Sequence, residues 1–246
     1  MSLGILVSGA SGTVGQSLID VVAEDKRFAI LGTASSERFF EPDLGADAVI
    51  DFSHPRLLER TLGYALRHRL PLVTGTTGLD GPLEEQLLEA ARTIPICHAA
   101  NFSVGINLMM RLVAESARVL DEDFDVELSE IHHRRKIDAP SGTALALARA
   151  LVGARGLVMG EALVHDRSHH RIPRSRGEIG VGVLRGGDVA GEHTVYFLGA
   201  GERLEITHRA TDRRIFARGA LMAALRLQDR PAGMVEFSDL ILGKIA

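Results

Sequence analysis

Tryptophan is absent from this chain of 246 residues, tyrosine occurs twice and cysteine once. The single thiol, Cys97, excludes an intramolecular disulfide and any cysteine-rich zinc cluster. So few aromatic rings argue against a recognition surface built on stacking. No charge of one sign dominates either: 28 Lys and Arg against 32 Asp and Glu leave a formal charge of −4. A wholesale nucleic-acid binder or anionic-membrane binder is therefore not expected, although a local basic site is compatible with that balance. No apolar run reaches the about 18 residues of a membrane span. The start, MSLGILVSGASG, has no basic leader and interrupts its apolar run with glycines. The expectation is a soluble cytoplasmic protein with neither a nucleic-acid nor a membrane partner. Repeats and low-complexity tracts are absent too.

What is present is apolar mass and glycine. Hydrophobic residues make up 46% of the chain, enough for a substantial core, and 26 glycines suggest tight turns and close backbone approaches. Through the first hundred residues, short apolar runs alternate with helical spacing. Leu3–Ser8, Ala29–Thr33, Ala48–Phe52, Leu70–Thr74 and Ile94–His98 read as strands. Helices fall between them: one after Gly15, one opened by Ser53 and Pro55 with Leu58, Leu62, Ala65 and Leu66 as its buried stripe, and one over 82–92. This alternation predicts a Rossmann-like, doubly wound parallel sheet of the α/β class. After Asn101 the pattern changes. A helix is expected over 105–120, and Phe124, Val126, Leu128, Glu130 and His132 share one face of a strand by period two. A helix from Ser141 with a stripe of Leu145, Ala148 and Val152 follows, then strands at Ile179–Val183, His193–Leu198 and Arg203–His208. These predict a second, α+β domain with a mostly antiparallel open sheet. Thr211 is expected to cap a helix running to Leu227. The polar, basic stretch 164–177 reads as a mobile loop in which His169 and His170 are solvated.

Two segments carry chemistry. GASGTVG, Gly9 to Gly15, follows a strand and opens a helix. In that context Gly9 permits the turn, Gly12 lets backbone approach a pyrophosphate, and Gly15 allows close helix–strand packing. Its spacing is GxxGxxG, with Ser11 where the usual dinucleotide motif has its middle glycine. At the end of the second strand, Ala34-Ser35-Ser36 with Arg38 nearby offers no carboxylate to repel a 2′-phosphate. This favours NADPH over NADH, or use of both. The second segment is EIHHRRKIDAPSGTA, Glu130 to Ala144. Histidine exchanges a proton near neutral pH, lysine donates one or holds a carboxylate, and the helix start at Pro140-Ser141-Gly142-Thr143 presents N–H groups to an anion. Taken singly, each part has an ordinary explanation as surface histidines, a basic turn or a helix cap. Together they suit a small acidic substrate that is protonated as it reacts. A zinc site lacks ligands, the Tyr–Lys couple of some dehydrogenases is missing, and no G-x-S-x-G elbow occurs.

HHRRKIDAPSGTA resembles the central motif of the 4-hydroxy-tetrahydrodipicolinate (dihydrodipicolinate) reductase family. Gly75-Thr76-Thr77-Gly78, Ala99-Ala100-Asn101-Phe102-Ser103 and Gly187-Asp188-Val189-Ala190-Gly191-Glu192-His193 stand in the family's order. The resemblance spans essentially the whole chain. It implies hydride transfer from NADPH or NADH to ring C4 of a small cyclic dicarboxylate, giving tetrahydrodipicolinate for the diaminopimelate route to lysine. It implies that Gly9, Ala10, Ser11, Gly12, Thr13 and Val14 hold the cofactor phosphates and that Ser35 lies at the ribose. Gly75, Thr76, Thr77, Ala99, Ala100, Asn101 and Phe102 would line the nicotinamide side. His132 would be the general acid/base and Lys136 the proton donor, while His133, Lys136, Gly142 and Thr143 would hold substrate carboxylates. No metal is implied. The family plan further implies a dinucleotide-binding domain of residues 1–102 and 213–246, and a substrate-binding and oligomerisation domain of residues 103–212. The latter would join a homotetramer, and hinge closure would bring cofactor and substrate together. Where the family carries a glycine-rich loop, this chain reads Ser168-His169-His170-Arg171. Two other readings fit parts of the pattern: another two-domain amino-acid or hydroxy-acid dehydrogenase, and a non-catalytic nicotinamide sensor.

Overall fold

The structure, a computed structural model, describes residues 2–41, 43–168 and 171–243. The chain divides into two compact units, Met1–Val104 with Arg213–Ala246, and Gly105–Asp212. In chain order the elements are β1 (Leu3–Ser8), α1 (Thr13–Glu24), β2 (Phe28–Ala34), β3 (Ala48–Asp51), α2 (Pro55–His68), β4 (Leu72–Thr74), α3 (Gly81–Ala90), β5 (Pro95–His98) and α4 (Val104–Val119). There follow β6 (Asp125–His132), α5 (Gly142–Arg155), α6 (Met159–Ala162), β7 (Leu163–Val164), β8 (Ile179–Arg185), β9 (Gly191–Leu198) and β10 (Arg203–Ala210). The chain closes with α7 (Arg214–Leu227), β11 (Gly233–Met234) and α8 (Phe237–Leu242).

The first unit holds a six-stranded, wholly parallel sheet in the order β11-β5-β4-β3-β1-β2. Its strands β1 and β3 are buried throughout or nearly so, as strands covered on both faces must be. One cluster, with Ile5, Val7, Leu18, Ile50 and Phe102, packs under α1, α7 and α8. The other, with Leu6, Val49, Leu58, Leu72 and Leu87, packs under α2 and α3. The connections run from β1 outward to β2 on one side and to β3 on the other. That reversal leaves a crevice at the carboxyl ends of β1 and β3, where ligands bind in such sheets.

The second unit has an open five-stranded sheet, β10-β9-β6-β8-β7. The long pairings of β9 with β10 and with β6 are antiparallel, whereas β6–β8 and β8–β7 are parallel, so the sheet is mixed. The β6–β8 pair is parallel because the helix from Ser141 acts as a crossover between them, and the stretch 165–178 returns the chain from β7 to β8. A hairpin cannot join strands that run the same way. Val126, Leu128, Glu130 and His132 are buried and their neighbours half-buried, the period-two face expected from sequence.

Several boundaries differ from expectation. His54, not Ser53, caps α2, and Leu57 rather than Leu66 is buried in its stripe. Leu145 is half-buried while Ala144, Leu147, Ala148, Leu151 and Val152 face the core, because the face of α5 is rotated by one position. Arg213, not Thr211, precedes α7. In the stretch read as a mobile loop, Arg167 pairs with Glu178 and Glu127. Arg174 reaches Asp125, Glu127 and the carbonyl oxygens of Val126 and Glu178. Arg167 and Arg174 are therefore tied to β6 and to Glu178. His169 and His170 lie outside the described residues. Among the described residues, no helix is long and apolar enough to cross a membrane, and no group of three or more His, Cys, Asp or Glu could hold a metal.

Candidate functional site

In the first unit the glycine-rich turn is fixed by its own backbone. The N–H groups of Gly9 and Ala10 both donate to the Ala34 carbonyl, at 2.9 and 3.1 Å, and that of Gly12 donates to the Gly9 carbonyl at 3.0 Å. Gly12 caps α1 without a side-chain hydrogen bond, and the first turn contains no acidic residue. The first-turn N–H groups of Thr13 and Val14 thus have no intrahelical acceptor and lie at the positive end of the helix dipole. Gly9 and Ala10 can offer shape but not N–H donors, because theirs are spent on Ala34. A cavity of about 290 Å³ opens beside this turn. It is lined by Thr13 and Val14, by Phe52–Pro55 after β3, and by Gly75, Thr76 and Thr77 after β4. No carboxylate side chain lines it, so an anionic phosphate would meet helix N–H groups directly.

Beneath that cavity sits a residue that motif reading passed over. Asp51, the last residue of β3, is fully buried and accepts hydrogen bonds from Ser53 Oγ (2.6 Å), Thr74 Oγ1 (2.9 Å) and Thr76 Oγ1 (2.6 Å). Thr76 Oγ1 in turn accepts the Ser53 N–H at 3.0 Å. The Thr76 side chain is therefore an internal brace, and Thr77 is the exposed member of the pair. A polar residue ending an otherwise apolar strand, AVID, was the available sequence signal. Asp51→Ala strands the two buried threonine hydroxyls, while Ser53 Oγ keeps the His54 carbonyl at 3.3 Å, and each one left unsatisfied costs about 1–3 kcal/mol. A clear fall in the urea midpoint, with weaker nicotinamide binding, is the expected outcome. An unchanged midpoint would mean that water replaces the carboxylate without loss.

The remaining first-unit candidates take different positions. Phe102 is buried against Phe52 and Phe237, with ring centroids 5.5 and 4.8 Å apart, so only its backbone can meet a ligand. The Ala99 N–H donates to the Thr74 carbonyl at 3.1 Å, Ala100 is exposed, and Asn101 Oδ1 accepts the Ser103 N–H at 2.8 Å. Ser35 Oγ accepts the N–H groups of Glu37 and Arg38, each at 3.3 Å, in a turn that leaves Arg38 exposed.

In the second unit the histidine segment is built around a buried carboxylate. Glu130 is fully buried on β6. Its Oε2 faces Nδ1 of His132 at 2.5 Å and accepts a hydrogen bond from Arg185 Nη1 at 2.8 Å. Its Oε1 accepts from Arg185 Nη2 at 2.9 Å and from the Ser141 N–H at 2.9 Å. Burial by itself would push this carboxyl up, but the hydrogen bonds from Arg185, His132 and Ser141 hold it below the usual carboxylate range. His132 ends β6 and is itself buried. A Cβ on Gly191 would stand 2.9 Å from its Nε2, so glycine there leaves room for that nitrogen. The His193 ring lies edge-on to His132 with centroids 5.2 Å apart, and its Nε2 is 3.2 Å from Ser141 Oγ. Burial first, then the neighbouring His132, pushes the His193 pKa down to about 4, so this ring is uncharged at neutral pH.

His133 leaves the strand and donates its N–H to the Val189 carbonyl at 2.8 Å, while the Arg134 N–H reaches the Gly187 carbonyl at 3.3 Å. The Gly187–His193 motif is thus the physical support of the histidine segment. Lys136 Nζ lies 2.9 Å from Asp138 Oδ1, and this hydrogen bond is the main cause of the lowered Asp138 pKa. Ser141 caps α5, accepting the Ala144 N–H at 3.2 Å. Gly142 and Thr143 form the first turn, and a Cβ on Gly142 would meet no protein atom within 4 Å. Glycine at 142 is not required by packing; the space beside it is open to a ligand. His132, His133, Lys136, Gly142 and Thr143 are thus all in the second unit, the first two and Lys136 on β6 and the loop after it, the others at the start of α5.

Comparison with known proteins decides the class. Residues 33–102 match the family model described as "Dihydrodipicolinate reductase, N-terminus", and residues 105–241 match "Dihydrodipicolinate reductase, C-terminus". The chain belongs to the dihydrodipicolinate reductase family. It is accordingly an oxidoreductase that works with a nicotinamide cofactor. A relative from Pseudomonas fluorescens (strain SBW25), named 4-hydroxy-tetrahydrodipicolinate reductase, is 40% identical over 263 residues, covering 96% of this chain and 98% of its own. One of the same name from Akkermansia muciniphila is 42% identical over 240 residues, covering 97% and 98%. The solved structure of "Dipicolinate bound Dihydrodipicolinate reductase from Paenisporosarcina sp. TG-14" shares the fold with a TM-score of 0.77. It is 21% identical and covers 96% of this chain and 98% of that one. Membership of this reductase family displaces the sensor reading. The fold itself is shared more widely: the "engineered D-Amino Acid Dehydrogenase (DAADH) bound to NADP+" aligns with a TM-score of 0.55 at 14% identity, covering 97% of this chain and 94% of that one.

Proposed function

We propose that this dihydrodipicolinate reductase family member reduces 4-hydroxy-tetrahydrodipicolinate to tetrahydrodipicolinate, a step toward diaminopimelate and lysine. The observation that carries this reading is the Glu130–His132 pair. It stands beside a lysine and the open helix start at Gly142, in a chain about 40% identical to proteins named for that reaction. In this reading the first unit is the dinucleotide-binding domain and the second the substrate-binding domain. Thr13 and Val14 present N–H groups to the cofactor phosphates, with Gly9 to Gly12 shaping the turn. Thr77 and the backbone of Gly75, Thr76 and Ala99–Phe102 flank the nicotinamide. When bound, the nicotinamide supplies the hydride that is added at ring C4.

The chain's own residues hold and protonate the substrate. Gly142 and Thr143 give first-turn N–H groups to one carboxylate, where the helix dipole stabilises negative charge. His133 and Lys136 complete the anion site, the Lys136 ammonium exchanging Asp138 for a substrate carboxylate. His132 is the general acid/base and Lys136 the proton donor, so the ring carbon made electron-rich by the hydride gains its proton. Ser35 and Arg38 favour NADPH, since a hydroxyl and an exposed guanidinium suit a 2′-phosphate, with Glu37 the one carboxylate in that turn. Half-buried side chains on the other face of the second sheet, among them Ile131 and Tyr196, suit association into a homotetramer through this unit in the cytoplasm.

The test is a coupled assay with pyruvate, aspartate semialdehyde and a condensing synthase, following loss of nicotinamide absorbance with NADPH and NADH separately. Synthase-dependent oxidation, faster with NADPH, is the expected outcome. No oxidation with either cofactor, despite measured binding, would favour another dehydrogenase activity. Lys136→Ala is expected to lower turnover and weaken dipicolinate binding, each by about tenfold or more, the worth of one charge-assisted hydrogen bond. An effect confined to cofactor affinity would contradict both roles.

A further inference from the structure

We propose that Glu130, with Arg185 as its counter-charge, is a positioning residue that sets the His132 tautomer and anchors the anion-binding start of α5 through one carboxylate. The inference rests on the reading that His132 exchanges the proton and that the helix start meets a substrate carboxylate. Four donors converge on this buried group: His132 Nδ1 and Arg185 Nη1 on Oε2, Arg185 Nη2 and the Ser141 N–H on Oε1. An ionised carboxylate only accepts, so Nδ1 of His132 carries its hydrogen whether the ring is neutral or charged. Nε2, the nitrogen for which Gly191 leaves room, is then the one that gains and loses the proton.

The Arg185 fork makes this arrangement workable. A buried carboxylate facing His132 alone would favour the imidazolium. Two parallel bonds from Arg185 offset the Glu130 charge, so His132 can change charge without leaving a lone buried ion. Arg185 also donates to the Asp138 carbonyl at 2.7 Å. The same guanidinium therefore ties the lysine-bearing loop to the carboxylate. On the remaining side His193 is uncharged, so it neither competes for Glu130 nor repels the proton on His132.

Glutamine at 130 has the right shape but one acceptor oxygen and two N–H groups. With its oxygen toward Ser141 and Arg185, its amide nitrogen faces His132 and forces the hydrogen onto Nε2. With its oxygen toward His132, the amide nitrogen opposes the Ser141 N–H and the helix start loses its anchor. The same carboxylate-to-amide exchange behind the histidine of a serine protease, which gives the wrong tautomer, costs about 10⁴-fold in turnover.

The first measurement uses the unaltered full-length chain, so it does not depend on a variant folding. Long-range ¹H–¹⁵N spectra of histidine-labelled protein, with the His132 signals assigned from His132→Gln, are expected to show hydrogen on Nδ1 at every pH studied and a bare Nε2 in whatever fraction of rings is neutral. A bare Nδ1 would overturn the proposal, whatever the coupled assay reports about the reaction. The second measurement is Glu130→Gln. The expected result is turnover down by about 10²-fold or more, with NADPH affinity unchanged and either an altered His132 tautomer or weaker dipicolinate binding. Wild-type turnover with unaltered His132 signals would equally overturn it. If the unaltered protein fails to reduce the substrate while its His132 spectrum is as expected, the reaction assignment fails and the positioning role of Glu130 stands.

Discussion

Replacing His132 with glutamine is expected to lower turnover by about 10²–10⁴-fold, the usual contribution of a positioned acid/base, while NADPH binds as before. The size of the effect follows from where His132 sits. Its ring is buried at the end of β6, held at Nδ1 by Glu130 and bordered on the Nε2 side by Gly191. Glutamine can still bond to Glu130 through its amide, so the strand end and the Ser141 anchor survive. What it cannot do is exchange a proton near neutral pH. Cofactor affinity is a sensitive control, because every residue proposed to meet the dinucleotide lies in the first unit. Turnover is to be read in the coupled assay and NADPH binding by fluorescence titration. Unaltered turnover would remove His132 from the mechanism. Equal losses in turnover and NADPH affinity would point to a folding defect instead.

The same segment shows how far a sequence carries such a reading. Periodicity placed Glu130 and His132 on one buried face of a strand, and cap chemistry placed Ser141 at the start of α5, because both signals are local. Arg185 and His193 could not be joined to them from sequence. They come from β8 and β9, 55 and 52 residues away from Glu130 and Ser141 respectively, and only the sheet order brings them to those partners. Asp51 escaped for a related reason. Its partners Thr74 and Thr76 lie on the next strand and the turn after it, so it looked like an ordinary strand end. In the first unit the alternation of strand and helix was enough for a parallel sheet, since βαβ connections leave little freedom. In the second, the strands were visible but their partners were not. A helical crossover between β6 and β8 made part of an otherwise antiparallel sheet parallel. Ser53 misled because its hydroxyl bonds to Asp51 rather than to the helix it precedes.

Glycines that serve packing and glycines that serve a ligand are expected to separate under alanine substitution. Gly9 has φ +81°, and an added Cβ would lie 2.1 Å from the Phe52 carbonyl oxygen. Both faults are in backbone, which cannot swing aside as a side chain could. The strained conformation alone costs about 1–3 kcal/mol, and relieving the overlap requires β1 and the turn after β3 to move apart. Gly15 has ordinary helical φ, but its Cβ would stand 2.1 Å from the Gly9 carbonyl oxygen, pushing α1 off the turn that it follows. Gly9→Ala and Gly15→Ala should therefore lower the urea midpoint markedly and weaken NADPH binding together. Gly142→Ala should do the opposite. Its Cβ meets no protein atom, and alanine restricts the unfolded chain, a gain of about 0.4–1 kcal/mol at a compatible position. The methyl group would instead occupy space at the helix start where the substrate carboxylate is proposed to sit. Stability held or raised, NADPH affinity unchanged and dipicolinate affinity reduced is the expected pattern. Were Gly142→Ala to bind dipicolinate as tightly as the unaltered protein, the first turn of α5 would not be the carboxylate site, and His133 and Lys136 would have to hold the substrate without it.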